Sequence, residues 1–252
     1  FIDNGGYTHL CGHGTMGVVT ALVETGYLNP DGAVTVETPA GLVTADPEVS
    51  EAGQVEHVTV ENITSYVLDS MTLPMDIDGD SVAVPVDVVY AGNVFAMVPA
   101  AAFDRHVAPD NTDAFVDYGV EIRERVNGTS EFEDPFSGDE LVVDHTEFYE
   151  PGAEADRNVV VFSAGAVDRS PCGTGTCGKM TLLHSKEELA VDEPYRHESV
   201  IGTRFEGRLR AVERREGYTV TNAEISGSAY IVAKHTFLLD PADSVHSFDI
   251  ST

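Results

Sequence analysis

Most of the chain consists of short segments in which apolar residues run together or alternate with polar ones, separated by Gly, Pro, Asp and Asn. Alternation with a period of two predicts β-strands, and the breaking residues predict the turns between them. Seven segments have this character: 33–45, 55–63, 81–92, 141–150, 158–165, 199–213 and 223–239.

Three other segments predict helices. Residues 14–26 end at a glycine, and residues 174–190 follow Pro171, which suits a first helical turn. Residues 112–128 place apolar side chains at helical spacing, although Gly119 stands in the middle. A few helices among many strands predict an α+β fold class.

The sequence repeats itself after 161 residues without a gap. Its matching pairs include Cys11 and Cys172, Gly12 and Gly173, Gly14 and Gly175, Thr15 and Thr176, and Gly17 and Gly178. This repeat predicts two pseudo-symmetric lobes, each with a central helix that has a cysteine at its N-terminal end. We expect a linker near residues 69–80, which gives a first lobe over 1–75, a second lobe over 76–235 and a tail over 236–252 that returns to the first lobe.

The charge of the chain narrows its possible partners. It holds 43 Asp and Glu against 14 Lys and Arg, a net charge of −29 with His neutral. Such a polyanion repels nucleic acids and anionic membranes. Its dispersed acids indicate a halophilic surface, because high salt screens self-repulsion. No apolar run reaches the ~18 residues of a membrane span, and no segment resembles a signal peptide.

Three cysteines, Cys11, Cys172 and Cys177, are too few and too scattered for a disulfide framework. They favour a reducing, cytoplasmic environment, in which an isolated cysteine beside glycines needs another role. One possibility is a small buried thiol under a glycine turn. That alternative does not explain why both copies of the repeat keep the same glycine-rich sequence around the cysteine.

The segment DRSPCGTGTCGKM, residues 168–180, also permits a nucleotide site or a metal site. Residues 173–179 nearly match the phosphate-binding loop G-x-x-x-x-G-K-[ST], but Met180 replaces the hydroxyl residue and Val18 replaces the lysine in the repeat. A zinc site would have suitable ligand types without a tight C-x-x-C pair. Its ligands would be Cys11, His13, Cys172 and Cys177.

Acid–base chemistry is the third possibility. A cysteine in the first turn of a helix faces unpaired backbone N–H groups and the positive end of the helix dipole, which stabilise a thiolate. The same N–H groups can hold a substrate carboxylate. If Cys11 and Cys172 face one cleft, one thiolate can remove an α-proton while the other thiol delivers a proton to the opposite face. This arrangement predicts a racemase or epimerase that needs no cofactor.

The segments CGHGTMG and DRSPCGTGT resemble the two signature segments of the proline racemase family, which includes proline racemases, 4-hydroxyproline 2-epimerases and trans-3-hydroxyproline dehydratases. ETPAGLV, YAGNVFAMV, HESVIGTRFEG and ISGSAYI are similar to the family too, so the resemblance covers essentially the whole chain. It implies two lobes, each a curved, mostly antiparallel sheet wrapped around a central helix, as in diaminopimelate epimerase. It also implies an active site between the lobes and usually a homodimer.

The resemblance assigns chemistry to four side chains. Cys11 and Cys172 would be the acid–base pair, whereas the dehydratase branch has Thr at the position of Cys172. Both thiols therefore favour stereoinversion over water elimination. His13 and Asp168 would lie at the ring nitrogen of the substrate, although without the resemblance they are equally well a loop histidine and a helix-start residue.

The resemblance further implies how the substrate is held. Backbone N–H groups of Gly12, Gly173 and Thr174 would bind its carboxylate. Phe162 matches an aromatic residue that proline racemases place against the ring, which favours proline over 4-hydroxyproline as substrate. On its own, Phe162 would be an ordinary core residue of a strand.

Two further expectations come from departures from the family pattern. Cys177 stands where the family commonly has Ser, and we interpret it as a small packed helix residue. Family members carry some tens of residues before the CGHG segment, which supply strands of the first lobe and part of the pocket. We therefore expect a natural polypeptide longer than 27.0 kDa.

Overall fold

A computed structural model describes residues 1–3, 6–29, 31–162, 165–236 and 238. These residues form three α-helices, two short 3-10 helices and fifteen strands. The helices are α1 (Gly12–Glu24), α2 (Thr112–Thr129) and α3 (Gly173–Ser185). The strands are β1 (Ile2–Asp3), β2 (Gly6–Tyr7), β3 (Val34–Thr38), β4 (Gly41–Val49), β5 (Val55–Glu61), β6 (Tyr66–Ile77), β7 (Asp80–Tyr90), β8 (Val94–Pro99), β9 (Phe132–Glu133), β10 (Glu140–Leu141), β11 (His145–Glu150), β12 (Asp156–Val161), β13 (Tyr195–Ser199), β14 (Arg204–Arg215) and β15 (Tyr218–Gly227).

Eleven strands form one sheet, in the order β3-β4-β5-β15-β14-β13-β12-β11-β8-β7-β6. Two pairs in this sheet, β8 with β11 and β12 with β13, are parallel, and the other pairs are antiparallel. The predicted α+β class with a mostly antiparallel sheet is therefore confirmed. The strands expected in two separate sheets are hydrogen-bonded as one series.

The two cysteine helices follow the sequence repeat. Both α1 and α3 span 13 residues, and each begins directly after its cysteine. All of the first ten residues of α3 are buried, so this helix is central in the fold. In contrast, α1 is buried on one face and leaves Val18 and Leu22 exposed.

Apolar side chains form two main cores. The first lies between α1, α3 and strands β4, β5, β14 and β15, and it combines early and late parts of the chain because β15 pairs with β5. The second lies between α2 and strands β6, β7, β8, β11 and β12. A methyl group on Gly119 would lie 2.9 Å from Val161 Cβ, so this glycine allows α2 to pack closely on β12.

The expected linker at 69–80 is wrong. Residues 69–77 belong to β6, which pairs along its length with β7, so the lobe boundary expected between 75 and 76 falls inside a strand. The segment alternates in burial, with Leu73, Met75 and Ile77 inside. Pro74 is tolerated because β6 is an edge strand.

The strand predicted over 223–239 ends earlier than expected. It ends at Gly227, where the pairing with Val58 of β5 also ends, and residues 228–236 are not in a strand. Of the tail expected at 236–252, only residues 236 and 238 are described, and the remainder lies outside the described residues.

Candidate active site

Both cysteines of the repeat cap a helix. Cys11 is the N-cap of α1, and its Sγ accepts a hydrogen bond from the Gly14 N–H at 3.3 Å. Cys172 is the N-cap of α3 and has a φ of 60°, in the left-handed region that non-glycine residues rarely adopt. The backbone N–H of Cys172 donates to Ser170 Oγ at 3.1 Å, which helps to fix this turn.

The two helix N-termini touch through their glycines. A Cβ on Gly12 would lie 2.9 Å from Gly173 Cα, and a Cβ on Gly173 would lie 2.8 Å from Gly12 Cα. A side chain at either position would therefore push α1 and α3 apart. Gly12 and Gly173, which match in the repeat, thus have a shared purpose, which is to bring the two cysteine-bearing turns together.

A cavity of about 230 Å³ lies at this junction. It is smaller than the ~300–1,000 Å³ of a typical pocket for drug-sized ligands, so its size suits a small substrate. All eight residues singled out from the sequence line it: Cys11, Gly12, His13, Phe162, Asp168, Cys172, Gly173 and Thr174. A wider open groove of about 1,040 Å³ shares His13, Phe162 and Asp168 with it.

His13 and Asp168 form a polar pair at the cavity wall. His13 Nδ1 lies 2.9 Å from Ser170 Oγ and 3.5 Å from Asp168 Oδ2. The buried Asp168 carboxylate also accepts a hydrogen bond from the Ser170 N–H at 2.8 Å. Asp168 first, and then Cys11, raises the pKa of His13 from 6.5 to about 10, so the imidazole is cationic at neutral pH.

The expected stabilisation of a thiolate at Cys172 by the start of α3 is present, but stronger effects oppose it. Burial, followed by the charges of Asp168 and Glu147, raises the pKa of this thiol well above its usual value. Gly175 N–H and Thr174 act in the opposite direction, as expected at a helix start, but they are outweighed. Cys172 is therefore a thiol at neutral pH.

Sequence reasoning missed several residues that line the cavity, among them Asn93 and His145. The Asn93 amide donates to the Leu10 carbonyl at 2.8 Å and to Thr174 Oγ1 at 3.2 Å, which ties the two cysteine turns together. The His145 ring packs edge-on against Phe162, with centroids 4.8 Å apart. Asn93 lies in the segment YAGNVFAMV, which resembles the family, so the sequence contained a signal for it. His145 reaches the cavity only because β11 pairs with β8 in the sheet.

The other possibilities for this segment do not agree with the structure. Residues 173–179 lie in α3 and not in a loop. Lys179 is buried, with its Nζ 3.4 Å from the centre of the Tyr149 ring, so it is unavailable to a phosphate. Cys177 is buried in the first core, as expected of a packed helix residue. Among the described residues, no group of three His, Cys, Asp or Glu is placed to hold a metal ion.

Comparison with known proteins identifies the family. The sequence model described as Proline racemase matches residues 1–247. The chain belongs to the proline racemase family. This membership confirms the resemblance seen in the motifs, and it confirms the expected class of enzyme, a racemase- or epimerase-type isomerase.

Three similar proteins illustrate the range of this family. A proline racemase of Clostridioides difficile is 33% identical over 255 residues, covering 98% of this chain and 75% of that protein. A 4-hydroxyproline 2-epimerase of Streptosporangium roseum is 34% identical over 249 residues, covering 96% of this chain and 74% of the relative. The crystal structure of a hydroxyproline epimerase from Agrobacterium vitis, with bound trans-4-hydroxy-L-proline, superposes with a TM-score of 0.85 at 25% identity, covering 96% and 70% of the two chains.

The structural likeness also bears on the fold. A TM-score of 0.85 to a member of the proline racemase family confirms the expected two-lobe fold class. Within the described residues, no helix is both long and apolar enough to cross a membrane.

Proposed function

We propose that this protein racemises or epimerises a cyclic amino acid without a cofactor, most readily proline, by means of the thiols of Cys11 and Cys172. The observation that carries the proposal is the contact between Gly12 and Gly173, which brings two cysteine-capped helix starts to one small cavity. A single substrate in that cavity has a thiol within reach from each helix.

The substrate carboxylate is held by backbone N–H groups of Gly12, Gly173 and Thr174 in this proposal. These groups belong to the first turns of α1 and α3, where N–H groups lack helical partners and the helix dipole favours an anion. They also stabilise the negative charge that develops on the carboxylate when the α-proton leaves. Asp168 binds the ring ammonium, beside the His13 imidazolium with which it is paired in the free site.

Proton transfer then uses the two thiols in opposite roles. In one direction, the Cys11 thiolate removes the α-proton and the Cys172 thiol donates a proton to the opposite face, so Cys11 ends as thiol and Cys172 as thiolate. The other enantiomer reacts with that second form of the enzyme. The raised pKa of Cys172 suits it to be the proton donor of the resting enzyme.

The substrate preference follows from the apolar side of the cavity. The Phe162 ring offers contact to an unsubstituted pyrrolidine ring, while a hydroxyl placed there loses its water, at a cost of ~1–3 kcal/mol if it finds no partner. The second candidate substrate is 4-hydroxyproline, and His145 is the observation that favours it. This imidazole, edge-on to Phe162, is the group that would provide a partner for the hydroxyl.

Cysteine substitution tests the two-thiol mechanism. Cys11→Ser and Cys172→Ser should each lose nearly all racemisation, because a hydroxyl is a far poorer base near neutral pH. Cys177→Ala should remain active, because Cys177 is packed in the first core and does not line the cavity. From one enantiomer in D₂O, early product should carry deuterium while the remaining substrate stays largely unlabelled. The two-thiol mechanism would be refuted if deuterium appeared equally in the starting enantiomer, or if either Ser variant kept full activity.

Kinetics with single substrates test the preference. We expect kcat/KM for proline to exceed that for trans-4-hydroxyproline by roughly tenfold or more, the equivalent of about 1.4 kcal/mol. Equal or inverted values would assign the protein to 4-hydroxyproline and give His145 the deciding role. His145→Leu should then reduce turnover of hydroxyproline more than turnover of proline.

The assembly and location of the enzyme are part of the proposal. We infer a homodimer from the family resemblance, and sedimentation velocity at molar KCl would test it. The free cysteines and the strongly acidic composition support a cytoplasmic enzyme of a high-salt cell. Fractionation of the source cells would test that location.

A further inference from the structure

Beneath the first turns of α3 lies a cluster of buried polar side chains that do not line the cavity. Glu147 of β11 and His197 of β13 are completely buried, and Lys179 of α3 is 3% exposed. The chain therefore keeps a carboxyl group and an amine in its interior close to the cavity, where each is costly unless it has a purpose. The proposed mechanism uses none of them directly.

Glu147 is the member of this cluster that approaches Cys172. A methyl group added to Gly175 would collide with Glu147 Oε2 and would lie 3.3 Å from Cys172 Sγ. The carboxyl oxygen and the sulfur thus flank the same point, which places them at most about 6 Å apart, a range in which one negative charge disfavours another. Gly175 keeps that space free of a side chain.

The groups around Glu147 would stabilise a negative charge on its carboxylate only weakly. Within the described part of the chain, neither of its carboxyl oxygens has a donor at normal hydrogen-bond geometry, and the Asn158 amide is the polar group that approaches them. His197 Nε2 lies 3.7 Å away, but burial lowers the pKa of this imidazole to about 3, so it is neutral. The nearby cation is Lys179, whose own pKa is lowered by burial to about 8.

Several charged groups act on Glu147 from the elements packed against it. Lys179 of α3 and the Asn158 amide of β12 favour its ionised form, while Asp156 of β12 and Asp168 oppose it. Burial outweighs all of these and raises the pKa of Glu147 to about 8. Burial therefore favours the neutral, protonated form of this carboxyl group.

We propose that Glu147 is a positioning residue that competes with Cys172 for the negative charge at the start of α3. The inference rests on the proposed acid–base role of Cys172. A neutral Glu147 permits the Cys172 thiolate that remains after proton donation, and an ionised Glu147 disfavours that thiolate relative to the thiol. Glu147 thereby sets the proton occupancy of one catalytic group without touching the substrate.

The test follows the ionisation of each thiol separately. The chain has three cysteines, so protein labelled with 13Cβ-cysteine gives three signals, which single substitutions assign. Glu147→Gln keeps the volume of the side chain and removes its charge, and it should lower the titration midpoint of Cys172 by about one pH unit or more. The control Glu150→Gln lies on the same strand and pairs with the exposed His106, so it should leave that midpoint unchanged.

A second variant covers the case in which Glu147→Gln does not fold. Lys179→Met removes the cation that favours ionised Glu147, so Glu147 stays protonated to higher pH and the Cys172 midpoint should again fall. An unchanged Cys172 midpoint in the folded Gln variant, or in the Met variant if the Gln variant is lost, would overturn the inference.

This titration requires no turnover, so it separates the inference from the proposed function. A protein that racemises no cyclic amino acid but shows the shifted midpoint would refute the function and leave the effect of Glu147 on Cys172 standing. Normal racemisation with an unmoved midpoint would refute the role of Glu147 alone.

Discussion

The contact between the two helix starts can be broken with a single methyl group. In Gly173→Ala the new Cβ would lie 2.8 Å from both Gly12 Cα and Ile225 Cδ1. Carbon atoms prefer separations of about 3.5 Å or more, so the fit is short by roughly 0.7 Å. The Ile225 side chain can rotate, but the Gly12 backbone belongs to the first turn of α1 and can yield only if α1 moves.

The expected effects can be estimated from that displacement. Overpacking of a closed interior costs about 1–3 kcal/mol, and a domain of this size loses about 2–4 °C in Tm per kcal/mol. Activity should be affected more, because a ~1 Å misplacement of reacting groups can reduce a rate ~100-fold. We therefore expect Gly173→Ala to lower kcat/KM for racemisation by at least about tenfold in both directions.

Thermal melts and polarimetry with each enantiomer provide the measurements. The matched control is Gly17→Ala in α1, where an added Cβ meets no atom within 4 Å. This substitution should raise stability by about 0.5–1 kcal/mol, because alanine is the better helix former, and should leave kcat/KM unchanged. If Gly173→Ala melts and turns over like Gly17→Ala, the glycine contact does not position the thiols.

Two other predictions concern charge. Because the His13 pKa is raised from 6.5 to about 10, the bound proton stabilises the fold fully below pH 6.5, and this contribution is lost as the pH rises through 10. By NMR titration, Asp168→Asn should move the His13 midpoint back towards 6.5, and an unmoved midpoint would remove Asp168 as the cause. The net charge of −29 predicts a higher melting temperature in ~2 M than in ~0.1 M KCl, and equal values would contradict adaptation to salt.

Local pattern was sufficient to locate the elements that carry the thiols. The repeat predicted two equivalent helices, and α1 and α3 begin at matching positions after Cys11 and Cys172. Local pattern was insufficient for the segment 69–80, which was expected to be a linker. Most of that segment belongs to β6, an edge strand, and an edge strand tolerates a proline that a central strand does not. Whether such a segment is a strand or a linker depends on the strands that pair with it in the sheet.

The position of the candidate site was predictable from the sequence, but the direction of the pKa shift of Cys172 was not. The eight residues singled out from the sequence meet at one cavity, because the motifs that contain them sit at the ends of two touching helices. The direction of the Cys172 pKa shift was not predictable, because it depends first on burial, then on Asp168 and then on Glu147, which arrives from a distant strand. His145 reaches Phe162 in the same way, through the sheet.

The pairing of β15 with β5 has a consequence for how the molecule folds. The first core, which supports α1 and its cysteine, needs a strand that is synthesised long after β5 has left the ribosome. Closing so large a loop is slow, since its entropic cost precedes the contacts that offset it. Until β15 pairs with β5, the early part of the chain therefore exposes the apolar surface of its strands. In refolding from denaturant, α1 should become protected from hydrogen exchange only after β15 has docked.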